Sequence, residues 1–203
     1  MKRCIFPLLL LISFASIAQQ STFGILGGAT ISGYTSSEIF QNSVPLVGVS
    51  LGVYRGITLT KSLALEPGLY FTQRGISHGS SIFSNSNRNR LSYLILPVVM
   101  RKNLTDNFSV HIGPYLASFI HGSYRYPNNT FSERWSTWGI LGGDRNIPDA
   151  QFDVGLQAGL RYILSSQFVI NASYELGGAK YLQRVISDGP FPQVVTVSVG
   201  YQW

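Results

Sequence analysis

The feature that most constrains this chain is its closing stretch, residues 193–203, where Val195, Val197, Val199, Tyr201 and Trp203 alternate with Thr196, Ser198, Gly200 and Gln202. A strict period of two describes an extended strand with one apolar and one polar face. A helix turning every 3.6 residues would mix the two sets on every side. Such a strand needs a sheet around it, so the same pattern must recur upstream.

It recurs in segments of roughly ten residues or more, the length of a tilted membrane strand. The first spans about 22–33, with Phe23, Ile25, Ala29 and Ile31 on one face. The second (46–59) and third (63–75) are separated only by Thr60-Lys61-Ser62, which predicts a hairpin. In the third, Leu63, Leu65, Pro67, Leu69 and Phe71 oppose Ala64, Glu66, Gly68, Tyr70, Thr72 and Arg74. The fourth (90–102) is apolar on both faces, which leaves its orientation open. The fifth spans 108–121, the sixth 151–162, and the seventh places Phe168, Ile170, Ala172, Tyr174 and Leu176 opposite Val169, Asn171, Ser173 and Glu175.

The closing strand makes eight. Connections alternate long and short, with polar stretches at 36–44, 76–89, 122–150 and 178–192. Putting all long loops at one end requires an even, antiparallel up-and-down order with both chain ends at the tight-turn side. The predicted fold is therefore all-β, an eight-stranded antiparallel up-and-down β-barrel with long loops at one end and short turns at the other.

Met1-Lys2-Arg3, the apolar run 4–17 and the small residue Ala18 form a secretory signal pattern, so residues 1–18 are expected to be removed and 19–203 to form the barrel domain. Cys4 precedes the apolar run, whereas a lipoprotein signal places its cysteine after it. As the sole cysteine it leaves the mature chain without disulfides. No other apolar run reaches about 18 residues, so any membrane crossing must use strands. The formal charge of +6 falls to +4 without Lys2 and Arg3, and no basic run stands out, which argues against a nucleic-acid partner.

Alternation alone does not separate a membrane barrel, apolar outside, from a soluble lipocalin-like secreted binding barrel, apolar inside. Two patterns favour the membrane form. The faces carrying the charges also hold Gly68, Gly155, Gly159 and Gly200, as a narrow interior demands. The apolar faces end in Phe152, Tyr162, Phe168 and Trp203, as interface girdles do. Strand direction then predicts two interior charge layers: Glu66 and Arg161 near the tight-turn end, with Arg101 if it faces inward, and Arg74, Asp153 and Glu175 near the long-loop end.

The aromatic-ended closing strand resembles that of bacterial outer-membrane barrels, and the resemblance implies that Tyr201 and Trp203 form an assembly signal read by the barrel-assembly machinery. The glycine-rich first strand, Glu66-Pro67-Gly68-Leu69-Tyr70, Tyr93-Leu94-Ile95-Leu96-Pro97, Gly155 with Gly159, and Gly200-Tyr201-Gln202-Trp203 together resemble the PorT-type outer-membrane β-barrel family of Bacteroidota. The resemblance implies a location in the outer membrane, contact with its lipid and lipopolysaccharide, extracellular long loops, and a loop-mediated role as a receptor or part of a secretion assembly.

No nucleotide loop, zinc spacing or nucleophile elbow is present, so no catalytic, cofactor-binding or metal residues are assigned. His121-Gly122-Ser123, with Glu133 further on, resembles the His, Ser and Glu set of lipid A deacylases, and a histidine-activated serine is sound chemistry. His78-Gly79-Ser80 repeats the spacing elsewhere and shows how readily it arises. His111, on the face of Ser109 and Gly113, reads as an interior hydrogen-bonding residue. The aromatics Tyr124, Tyr126, Phe131, Trp135 and Trp138 read as packing over the barrel mouth. The expectation is a non-enzymatic structural or interaction protein with a closed lumen and a possible protein partner at the loops.

Overall fold

A computed structural model describes residues 21–34, 43–78, 87–125, 132–136, 152–178 and 191–203. They form β1 (Ser21–Tyr34), β2 (Ser43–Thr60), β3 (Leu63–His78), β4 (Asn87–Asn103), β5 (Phe108–Arg125), β6 (Ser132–Ser136), β7 (Phe152–Ile163), β8 (Phe168–Gly177) and β9 (Pro192–Gln202). All pairings are antiparallel. The chain closes on itself: β1 pairs with both β2 and β9, and β4 pairs with β5, giving an eight-membered ring from which β6 stands apart. Closure removes the unpaired edges that an open sheet would present.

The seam is sealed at the tight-turn end. Phe23 donates its N–H to the Trp203 carbonyl at 3.0 Å, and Trp203 donates back to Phe23 at 2.9 Å. Two of the tight turns are built alike: the N–H groups of Leu104 and Leu164 reach the carbonyls of Phe108 and Phe168, each at 2.9 Å. The hydroxyls of Thr105 and Ser165 accept from the Phe108 and Phe168 N–H groups at 3.0 and 3.3 Å. A hydroxyl at the second turn position thus satisfies a backbone donor that would otherwise face outward.

Several strands run further than the sequence reading, β2 among them, which begins at Ser43 inside the expected loop 36–44. Strand β5 continues past His121 to Arg125, and the expected loop 122–150 contains β6, whose Ser132 and Ser136 lie opposite Arg125 and His121. The extension of β5 is paired on its other side too, with Arg88 opposite Arg125, so ladder bonding carries the strand beyond its apolar period. Likewise β3 and β4 run three residues further into the expected loop 76–89 at each side.

The apolar faces point outward. Leu156, Val197 and Val199 are 58%, 53% and 64% exposed, while Glu66 and Arg161 are 2% and 4% exposed. This is the reverse of a lipocalin-like arrangement and removes that alternative. Strand β4, ambiguous by pattern, turns Leu91, Tyr93, Ile95 and Val99 inward and Leu94, Leu96, Val98 and Met100 outward. The register of β4 against β5 shifts between Ser92 and Tyr93, where β5 carries Ile120 as an extra residue, so the outer ends of the two strands pair one residue out of step. Inside, Leu91, Tyr93, Ile95, Tyr115, Ala117 and Phe119 form an apolar plug toward the long-loop end, with Tyr93 and Phe119 edge to face at 5.9 Å.

Candidate functional site

The interior side chains come from alternate positions of every barrel strand, because a period of two sends one residue in and the next out. The structure brings the six charged residues into two groups. Toward the tight-turn end, Glu66 Oε1 accepts from Arg101 Nε at 2.6 Å and from Arg161 Nη1 at 3.0 Å. Arg101 lies opposite Ala64 on the neighbouring strand, whereas Arg161 arrives from across the lumen. Arg101 also donates to Asn103. The Arg161 guanidinium lies 4.3 Å from the Tyr54 ring centroid, and the Tyr54 hydroxyl donates to Gln202 at 3.1 Å.

Toward the long-loop end, Arg74 Nη1 donates to Asp153 Oδ2 at 3.1 Å and Nη2 donates to Glu175. Tyr115 donates its hydroxyl to the same Asp153 oxygen at 2.7 Å. The Arg74 guanidinium also lies 5.5 and 5.3 Å from the rings of Tyr93 and Tyr115. One layer therefore sets two guanidiniums against one carboxylate and the other sets one against two, so the unbalanced charges of the layers are opposite in sign. Enclosed charges of this kind are tolerated only when paired and hydrogen-bonded.

Between the layers lies a residual cavity of about 30 Å³, bordered by Tyr54, Glu66, Tyr70, His111, Gln157 and Arg161 among others. His111 is buried and its Nδ1 has no hydrogen-bond partner among the described residues; Glu66 Oε2, Ser109 Oγ, Gln157 Oε1, Arg161 Nε and Asn171 Oδ1 share that condition. Elsewhere short polar contacts run along the inner wall, including Ser50 to Thr72 on the neighbouring strand at 3.2 Å and Thr30 to the Gln73 carbonyl at 2.7 Å. The tyrosines that support the charges, Tyr54 and Tyr115, escaped the sequence reading. Their shared parity with interior residues was the only signal for them.

His121 is exposed and Ser123 half-buried at the outer end of β5, with no hydrogen bond between them. Glu133 stands in register with Tyr124, one position off from the Ser123–Arg134 pair. Neighbouring register positions alternate between the faces of a sheet, so the backbone does not bring the three to one place. Among the described residues no three His, Cys, Asp or Glu side chains group as metal ligands. Residues 1–18, His78-Gly79-Ser80 and the aromatics Tyr124, Tyr126, Phe131, Trp135 and Trp138 lie, in whole or in their side chains, outside the described residues.

At the tight-turn end the outward aromatics form a belt. Phe23 stacks with Trp203 at 6.4 Å, Trp203 neighbours Tyr201 at 6.2 Å, and Tyr201 meets Phe168 edge to face at 5.5 Å. Apolar bodies with polar tips favour this position at a membrane boundary.

A family model described as "Outer membrane protein beta-barrel domain" matches residues 17–177. Among solved structures, Ail of Yersinia pestis, the attachment invasion locus protein crystallised with the heparin analogue sucrose octasulfate, is similar at a TM-score of 0.51 and 15% identity, over 90% of this chain and 99% of that one. Neisserial surface protein A is similar at a TM-score of 0.54 and 12% identity, over 88% and 96%. At such identities the likeness speaks for the fold. No curated protein matches the chain.

Proposed function

Since the chain belongs to the outer-membrane protein β-barrel domain family and resides in the outer membrane, we propose that it acts without catalysis, as a structural and interaction protein whose extracellular loops make the contacts. Its interior serves as a filled core and not as a pore. The observation that carries this reading is the lumen itself, where among the described residues paired charges and an aromatic plug border a cavity of about 30 Å³, room for a water or two. Lipid and lipopolysaccharide surround the wall. Tyr201 and Trp203, at the end of the closing strand, serve the barrel-assembly machinery as the recognition signal, and residues 1–18 serve as the export signal.

The narrower PorT-type assignment, with a place in a secretion assembly or a receptor role, rests on the Glu66–Tyr70 and Tyr93–Pro97 stretches. Two measurements test the proposal. Planar-bilayer recordings of the purified chain are expected to show no porin-like conductance. Crosslinking in native membranes is expected to capture a partner with the intact chain and to lose it when 126–131 and 137–151 are replaced by Gly-Ser linkers. A stable open conductance, or crosslinks indifferent to the loops, would refute it.

A further inference from the structure

Near the tight-turn end, two cations interrupt the outward apolar face. Lys102 stands beside the end of β4, and Arg55 lies further in on β2, in the outward series of Val53 and Ile57. Arg55 is in register with Phe23, and its guanidinium lies 5.1 Å from the Phe23 ring centroid. Through Phe23 it sits level with Trp203 in the aromatic belt. Among the described residues no carboxylate comes within ion-pairing distance of it. At this level the wall is hollowed: Arg55, Phe23 and Trp203 at the belt, with Val53, Pro67 and Leu69, line an open groove of about 420 Å³ that also borders Gly24 and Gly68.

A guanidinium on a lipid-facing wall is tolerated at the interface, where it can reach an anion, and not at the midplane. At this depth the anion at hand is the phosphate of the surrounding bilayer, which a planar, forked donor suits well. We propose that the groove binds one glycerophospholipid of the periplasmic leaflet, its phosphate on Arg55 and an acyl chain along Val53, Pro67 and Leu69. The ring of Phe23 holds the guanidinium in place by a cation–π contact, so the cation is positioned before the lipid arrives. This site stands on the orientation of the barrel in the membrane and is independent of any loop partner.

The test is native mass spectrometry of the full chain in mild detergent, titrated with phosphatidylglycerol. Arg55→Gln is expected to weaken binding of the first lipid roughly tenfold, the loss of one charge-assisted contact. Arg55→Lys should weaken it less, and Lys102→Gln should leave it unchanged. Leu69→Trp fills the groove with the charge intact and should weaken it as well, which keeps the test available if Arg55→Gln fails to fold. Unchanged affinity in Arg55→Gln or Leu69→Trp, equal affinity of the wild-type chain for uncharged diacylglycerol, or a dimer formed through this wall would overturn the proposal.

Discussion

Arg161 Nη1 donates to Glu66 Oε1 at 3.0 Å across the lumen, joining β7 to β3, strands that are not neighbours in the sheet and residues 95 positions apart. The bond ties opposite walls where backbone ladders cannot. Glu66→Ala leaves Arg161 enclosed without a counter-charge, and the expected loss is about 3–5 kcal/mol in equilibrium urea unfolding from lipid vesicles. The double variant Glu66→Leu/Arg161→Met should be more stable than Glu66→Ala, because it removes the stranded charge with its partner. Equal or greater destabilisation of the double variant would contradict this account.

The two arginines that pair with carboxylates along different strands should differ in weight. The Arg74 side chain is 4% exposed and the Arg101 side chain 14% exposed. Arg74→Met removes the guanidinium shared by two enclosed carboxylates, Asp153 and Glu175, and is expected to cost about 3–5 kcal/mol. Arg101→Met leaves Glu66 its bond to Arg161 and is expected to cost about 1 kcal/mol. The same unfolding assay ranks them, and a reversed order would show that the outer layer is not the more tightly coupled one.

Gly159 is fixed by close approach. A Cβ there would meet His111 Nε2 at 2.5 Å and also crowd the Ala172 carbonyl. Gly159→Ala is therefore expected to destabilise by about 1–3 kcal/mol, the usual range for overpacking. His111→Ala in the same chain should recover part of that loss, since the imidazole yields and the carbonyl does not. A double-mutant cycle with no coupling between the positions would separate them.

The lipid-facing wall should respond to depth. Val197 is 53% exposed near the middle of β9, and Val197→Arg is expected to cost about 2–4 kcal/mol in bilayers. Gln193→Arg, near the loop end of the same strand, should cost about 0–1 kcal/mol. Equal costs at the two positions would mean that this face does not meet hydrocarbon.

What the chain determined by itself is the set of properties that travel along a single strand. In any extended segment side chains alternate, so residues 193–203 and 168–177 carried their two faces in their own order of residues, and the alternation of long and short connections carried the even, up-and-down topology. Nothing local could orient β4, because Leu91, Tyr93 and Ile95 are as apolar as Leu94, Leu96 and Val98; only packing against Tyr115 and Phe119 turned the first set inward. The continuation of β5 to Arg125 and its pairing with β6 depend on backbone partners supplied by other strands, which the apolar period does not register. Strand direction in the sequence already groups these charges by depth, but which atoms meet, Arg161 Nη1 on Glu66 Oε1 and Arg74 between Asp153 and Glu175, was left to the tertiary structure. Such contacts span the lumen, and the tilt and stagger of a closed barrel decide which interior residues reach the same depth.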